Sequence, residues 1–68
     1  MRFATGSLGF PLVPPKIGEP LVIGRTGTRG VRITTPVTRV IALAGGVLVH
    51  TMRSRYLIAC SGDAYLVE

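Results

Sequence analysis

Arg53-Ser54-Arg55-Tyr56 places two guanidinium groups, a hydroxyl and an aromatic ring on four consecutive residues. Guanidinium forks pair with phosphate oxygens in parallel bonds and an aromatic ring offers a face to a base, so this group suits a phosphate-bearing nucleotide. A second set lies upstream in Gly24-Arg25-Thr26-Gly27-Thr28-Arg29-Gly30, where glycine recurs at every third position between two arginines. Glycine lets backbone amides approach an oxyanion, while Arg25 and Arg29 supply charge. No Gly-Lys-Ser/Thr follows, which separates this segment from a P-loop. If the fold joins the two sets, Arg25, Arg29, Arg53 and Arg55 line one cationic pocket, Ser54 contributes a hydroxyl, and Tyr56 stacks or packs the base. The competing readings are solvated arginines on turns and, for the glycine-rich segment, a plain hairpin connection.

Chemistry beyond binding lacks its parts. His50 is the single histidine, Cys60 the single cysteine, and the carboxylates are Glu19, Asp63 and Glu68. A hydrolase or transferase needs a base and a nucleophile oriented by a third group, or a metal. His50 lies within an apolar run and reads as a half-buried or edge strand histidine, and Cys60 as a small buried apolar residue. We therefore expect no catalytic residues, no metal ligands, no cofactor and no enzymatic activity.

The net charge of +5 comes from eight basic residues, seven of them arginine. Arginine in place of lysine favours bidentate phosphate recognition, although GC-rich coding produces the same bias. Nucleic acid is the natural competitor for such a surface. Tyr56 and Tyr65 are few for a stacking platform, so a basic nucleic-acid-binding barrel ranks behind a nucleotide site.

The elements that must position these residues are short strands. From Gly30 onward the period is two: Val31 and Ile33 alternate with Arg32 and Thr34. Thr35-Pro36 interrupts the run and marks a strand start, bulge or edge. Val37, Arg39, Ile41 and Leu43 then share one face, with Thr38, Val40 and Ala42 on the other, and apolar residues on both faces predict cover on both sides. Ala44-Gly45-Gly46 is a hairpin signal, and the return strand presents Val47, Val49 and Thr51 to one side and Leu48, His50 and Met52 to the other. Arg53-Ser54-Arg55 turns into a strand over 56–60, Ser61-Gly62-Asp63 turns again, and 64–67 is a last short strand. Leu21-Val22-Ile23 adds one more. No helix of ordinary length is visible. The expected fold is all-β, an antiparallel meander or small barrel of four to five short strands over residues 21–68.

Residues 1–20 hold four of the five prolines, with Phe3, Leu8, Phe10, Leu12, Val13 and Ile17 between them. Proline at this density prevents a helix and disfavours a central strand, yet the segment is too apolar for a free linker. It reads as an extended arm packed over its own domain or a neighbouring subunit, anchored by Phe3 and Phe10.

A chain of 68 residues buries roughly 60% of its unfolded surface, which is marginal without disulfides, metal or self-association. With one cysteine and one histidine, self-association is left, and we expect a homo-oligomer. The apolar stretch 40–49 is about half of what a membrane-spanning helix requires, and nothing resembles a signal peptide, so a cytoplasmic location is expected.

Ile33-Thr34-Thr35-Pro36-Val37, then Val47-Leu48-Val49-His50-Thr51, then Ser54-x-Tyr56-x-Ile58, resemble small phage-encoded β-proteins with an Ile-x-Thr-Ser-Pro-Val strand before a Val-x-Thr-x-x-Ser-x-Tyr-x-Leu strand. Thr35 stands where those proteins carry serine, and the likeness covers about half the chain. Some of them look like the phage anti-defence sponges, which oligomerise and sequester cyclic-nucleotide immune signals. The resemblance implies a site role for Ser54 and Tyr56, and for the whole chain sequestration of an anionic nucleotide in the host cytoplasm, without turnover. The alternative of another class is a virion or tail-associated structural protein whose proline-rich arm laces subunits together.

Overall fold

The computed structural model describes residues 6–25 and 30–67. They form one antiparallel sheet of six strands, β1 (Phe10–Pro11), β2 (Pro20–Gly24), β3 (Val31–Leu43), β4 (Gly46–Thr51), β5 (Arg55–Ala59) and β6 (Ala64–Val67), each paired with the next in sequence. The class is all-β, with one strand more than expected. The addition is β1, two residues within the proline-rich arm. Pro11 has no amide to donate, and the pairing continues instead through Leu12, whose amide donates to the Val22 carbonyl at 2.9 Å.

The two edges of the sheet meet. The Leu8 amide donates to the Ala64 carbonyl at 2.8 Å and the Ala64 amide to the Gly9 carbonyl at 2.9 Å, so the residues entering β1 pair with the start of β6. Closing the sheet into a barrel removes the unpaired edges that an open sheet presents to other chains. Gly9 makes the closure possible: its φ is +138°, and a Cβ there would run into the backbone carbonyl of Gly24.

β3 is the spine of the barrel. At about 3.3 Å per residue a straight strand of thirteen residues would be about 40 Å long, beyond the longest dimension of 28 Å, so β3 must bend. It bends where it changes neighbours: residues up to Pro36 pair with β2, and residues from Val37 pair with β4. Pro36, lacking an amide hydrogen, sits at the handover. Irregular registers flank it, between Pro20 and Val22 on β2 and between Val37 and Arg39 on β3. Leu21 has no ladder partner at the first, and its amide donates to the Thr34 hydroxyl at 2.9 Å. The arm returns alongside: the Gly18 amide donates to the Val37 carbonyl at 2.8 Å, and the Val37 amide to the Glu19 carbonyl at 2.9 Å. Residues 8–19 thus bond to the arm's own barrel. Phe10 is 46% exposed on it, while Phe3 lies outside the described residues.

The bulge corrects the faces expected of β3. One extra residue at Thr38 puts Val37 opposite Thr51, Val40 opposite Val49 and Ala42 opposite Val47, so Val37 points with Val40 rather than with Arg39 and Ile41. Cover on both sides is not found in the single chain, where Arg39, Val40, Ala42 and Leu43 are exposed. The core within the barrel is Leu21, Ile23, Val37, Val49, Tyr56 and Ala64, with Leu8, Val47, Ile58 and Leu66 packed against it. Cys60 is exposed instead of buried, because β5 ends at Ala59 and the Ala59 amide donates to the Asp63 carbonyl at 2.9 Å, closing a turn that contains the cysteine. Among the described residues no helix is long and apolar enough to cross a membrane.

Candidate ligand-binding site

Thr51 builds the turn between β4 and β5. Its side chain is buried, its hydroxyl accepts the Ser54 amide at 3.1 Å and the Arg53 amide at 3.4 Å, and it donates to the Ser54 carbonyl at 3.1 Å. The Thr51 amide also donates to that carbonyl at 2.8 Å. A threonine at the end of a strand can satisfy a tight turn in this way, because its short hydroxyl reaches amides two and three residues on. The turn is thereby held, and Arg53 and Arg55 project from it into solvent.

A pocket of about 500 Å³ opens beside the turn, lined by Arg53, Ser54 and Arg55 together with Thr51, Met52, Leu66 and Val67. Among the described residues no carboxylate is in that lining, and the one ion pair joins Lys16 and Glu19, away from it. Two guanidinium groups at a concave surface create a positive potential that favours a multiply charged anion. Arg53, Ser54 and Arg55 are thus brought together as the sequence implied. Arg25, exposed at the end of β2, does not line this pocket, and Arg29 lies outside the described residues.

Tyr56 has a different place from the one expected. It is 4% exposed and packs in the core opposite Val49 and Leu66. Alternation explains this: with Arg55 outward at the start of β5, the next residue must face inward. Its ring supports the barrel wall behind the arginines and has no free face for a base.

Strand register adds residues that motif reading missed. Arg39, His50 and Arg55 are consecutive cross-strand partners on β3, β4 and β5, a cationic and imidazole row on the outer face. Strands lie about 4.8 Å apart, so the row spans about 10 Å and shares Arg55 with the pocket. His50 Nε2 is buried and has no hydrogen-bond partner. Beside this row runs a second, apolar one of Ile41, Leu48, Leu57 and Tyr65. The signal was present in the chain: pairing outward from the two-residue turn Ala44-Gly45 places Arg39 against His50, and the next hairpin places His50 against Arg55.

Among the described residues no cluster of three His, Cys, Asp or Glu side chains is arranged to hold a metal ion. Asp63 is engaged, its carboxylate accepting from the Ser7 hydroxyl at 3.2 Å and the Ser61 hydroxyl at 3.3 Å. The arrangement is equipped to hold an anion by charge and hydrogen bonding. Compared with known proteins, the chain matches no family model, no curated protein and no solved structure.

Proposed function

We propose that this chain is a non-catalytic binding module that sequesters an anionic nucleotide, gripping its phosphates with Arg53 and Arg55 at the β4–β5 turn. The observation that carries the reading is the gathering of Arg53, Ser54 and Arg55 on one pocket, with no carboxylate among the described residues that line it. The resemblance to phage anti-defence sponges supplies the ligand class, a cyclic-nucleotide signal of host defence. With Tyr56 in the core, recognition rests on phosphate pairing, and Met52, 70% exposed, is the apolar neighbour a base would meet. Sequestration by stoichiometric binding needs no acid-base pair. The oligomeric state expected of such a sponge is part of the proposal, supported by apolar side chains left exposed on the barrel, Ile17 at 66% and Ile33 at 65% among them.

Calorimetry against cyclic dinucleotides, cyclic trinucleotides and cyclic ADP-ribose variants tests the reading. Binding is expected with at least one, the ligand is recovered unchanged, and Arg53→Ala and Arg55→Ala each weaken it about tenfold or more, the worth of one charge-assisted contact. Absence of heat with every member of the panel overturns the nucleotide reading. The Arg39–His50–Arg55 row favours a second reading, single-stranded nucleic acid laid across the outer face. That reading requires affinity for oligonucleotides that falls with salt, with a log–log slope near −1.4 for roughly two neutralised phosphates. A virion protein laced by its arm has less support, because residues 8–19 of the arm bond to their own barrel.

A further inference from the structure

The barrel has two apolar outer regions in opposite electrostatic settings. Ile41, Leu48, Leu57 and Tyr65 stand beside Arg39, His50 and Arg55. Two copies meeting there would press arginine against arginine, and each copy already carries a net charge of +5. The other region lies outside β2 and β3, where Val22 and Ile33 are cross-strand partners. They line a groove of about 730 Å³ with Val13, Pro14, Pro15 and Pro20. Among the described residues the charges in that lining are Lys16 and Glu19, which cancel. Their mutual contact is 4.0 Å between side chains 78% and 63% exposed, so neither is firmly held and both can serve a new partner.

The segment that supplies the groove's rim residues also offers a projection to match it. Ile17, between the two rim charges in sequence, is 66% exposed, and Ile33 in the groove is 65% exposed. A two-fold axis brings the same patch of each copy together, so a patch carrying both a knob and a hollow, and both a positive and a negative rim, complements itself. We propose that this neutral groove is the surface through which two copies of the chain associate, Ile17 of each entering the groove of the other and Lys16 of each meeting Glu19 of the other. The inference rests on the self-association proposed above and adds where it occurs.

Sedimentation velocity on the full chain from micromolar to millimolar concentration tests this, with circular dichroism to confirm that each variant keeps its strands. Ile17→Asp and Ile33→Asp, both at exposed positions, are expected to raise the dissociation constant at least a hundredfold, whereas Met52→Asp at the cationic turn leaves it within threefold. Lys16→Glu is expected to weaken association at least tenfold by making the rim acidic, and Lys16→Glu with Glu19→Lys to restore it. A wild-type chain that stays monomeric throughout overturns the self-association reading and the interface with it. A wild-type chain that associates while Ile17→Asp and Ile33→Asp associate equally well overturns this interface alone.

Discussion

Replacing Gly9 with alanine tests whether closure of the sheet holds this barrel together. Two separate costs arise. A side chain at φ +138° is strained by roughly 1–3 kcal/mol. The new Cβ also meets the Gly24 carbonyl, a backbone group of β2 that cannot swing aside, so Gly9 must leave its position. Displacing it from the seam loses the Leu8-to-Ala64 and Ala64-to-Gly9 backbone bonds of 2.8 and 2.9 Å, at about 1 kcal/mol each. The total is about 3–5 kcal/mol, against about 3–10 kcal/mol of stability for a domain of this size. Gly18→Ala is the control: its φ is +90°, but nothing lies within 4 Å of the added carbon. It should cost only the backbone part, about 1–2 kcal/mol. Urea unfolding measures both, and hydrogen exchange at the Leu8 and Ala64 amides reads the closure directly. Equal losses for the two variants, with those amides still protected in Gly9→Ala, would refute the claim that the seam is a structural keystone.

Thr51→Val keeps the shape of a buried side chain but strands the Ser54 and Arg53 amides that its hydroxyl receives. We expect a loss of about 1–3 kcal/mol in urea unfolding, with Thr51→Ser recovering most of it. Cys60, exposed in the β5–β6 turn, should react with a thiol reagent in the folded protein at a rate close to that in denaturant. Protection by a hundredfold or more would mean that the turn is not open as described.

The strands from β2 onward were legible because local rules agree there: β-branched residues at period two, and a glycine pair at the tightest turn. The final strand, 64–67, falls where the turn at Ser61-Gly62-Asp63 predicts it. What the pattern could not carry were the long-range terms. The pairing of Gly9 with Ala64 joins residues from opposite ends of the chain. The bulge at Thr38 shifts faces without leaving a glycine or proline at its own position, so Val37 was grouped with Arg39. Of the readings open at Thr35-Pro36, the bulge is the one found: Thr34 and Thr35 together face Leu21, and β3 continues through by exchanging one neighbour for another. At the site, composition drew attention to consecutive residues, and consecutive residues on a strand point to opposite faces. Arg55 and Tyr56 could not both be surface groups within β5. The partners of Arg55 on its own face are His50 and Arg39, distant in sequence and adjacent in register.

The bend in β3 is what allows one small barrel to carry two unlike surfaces. Before Pro36 the strand pairs with β2 and contributes Ile33 to a groove whose rim charges cancel. After it the strand pairs with β4 and contributes Arg39 to a row with His50 and Arg55. A straight strand would put both sets on one sheet face, and the arginines would oppose association of like-charged copies. Separating them lets burial of apolar groups drive self-association on one side while the arginine-bearing side keeps the charge needed to attract phosphate. The two proposals are therefore coupled through a single structural feature. Removing the bulge residue Thr38, which stands between Val37 opposite Thr51 and Arg39 opposite His50, should weaken association and anion binding together, read by sedimentation velocity and calorimetry on the same variant.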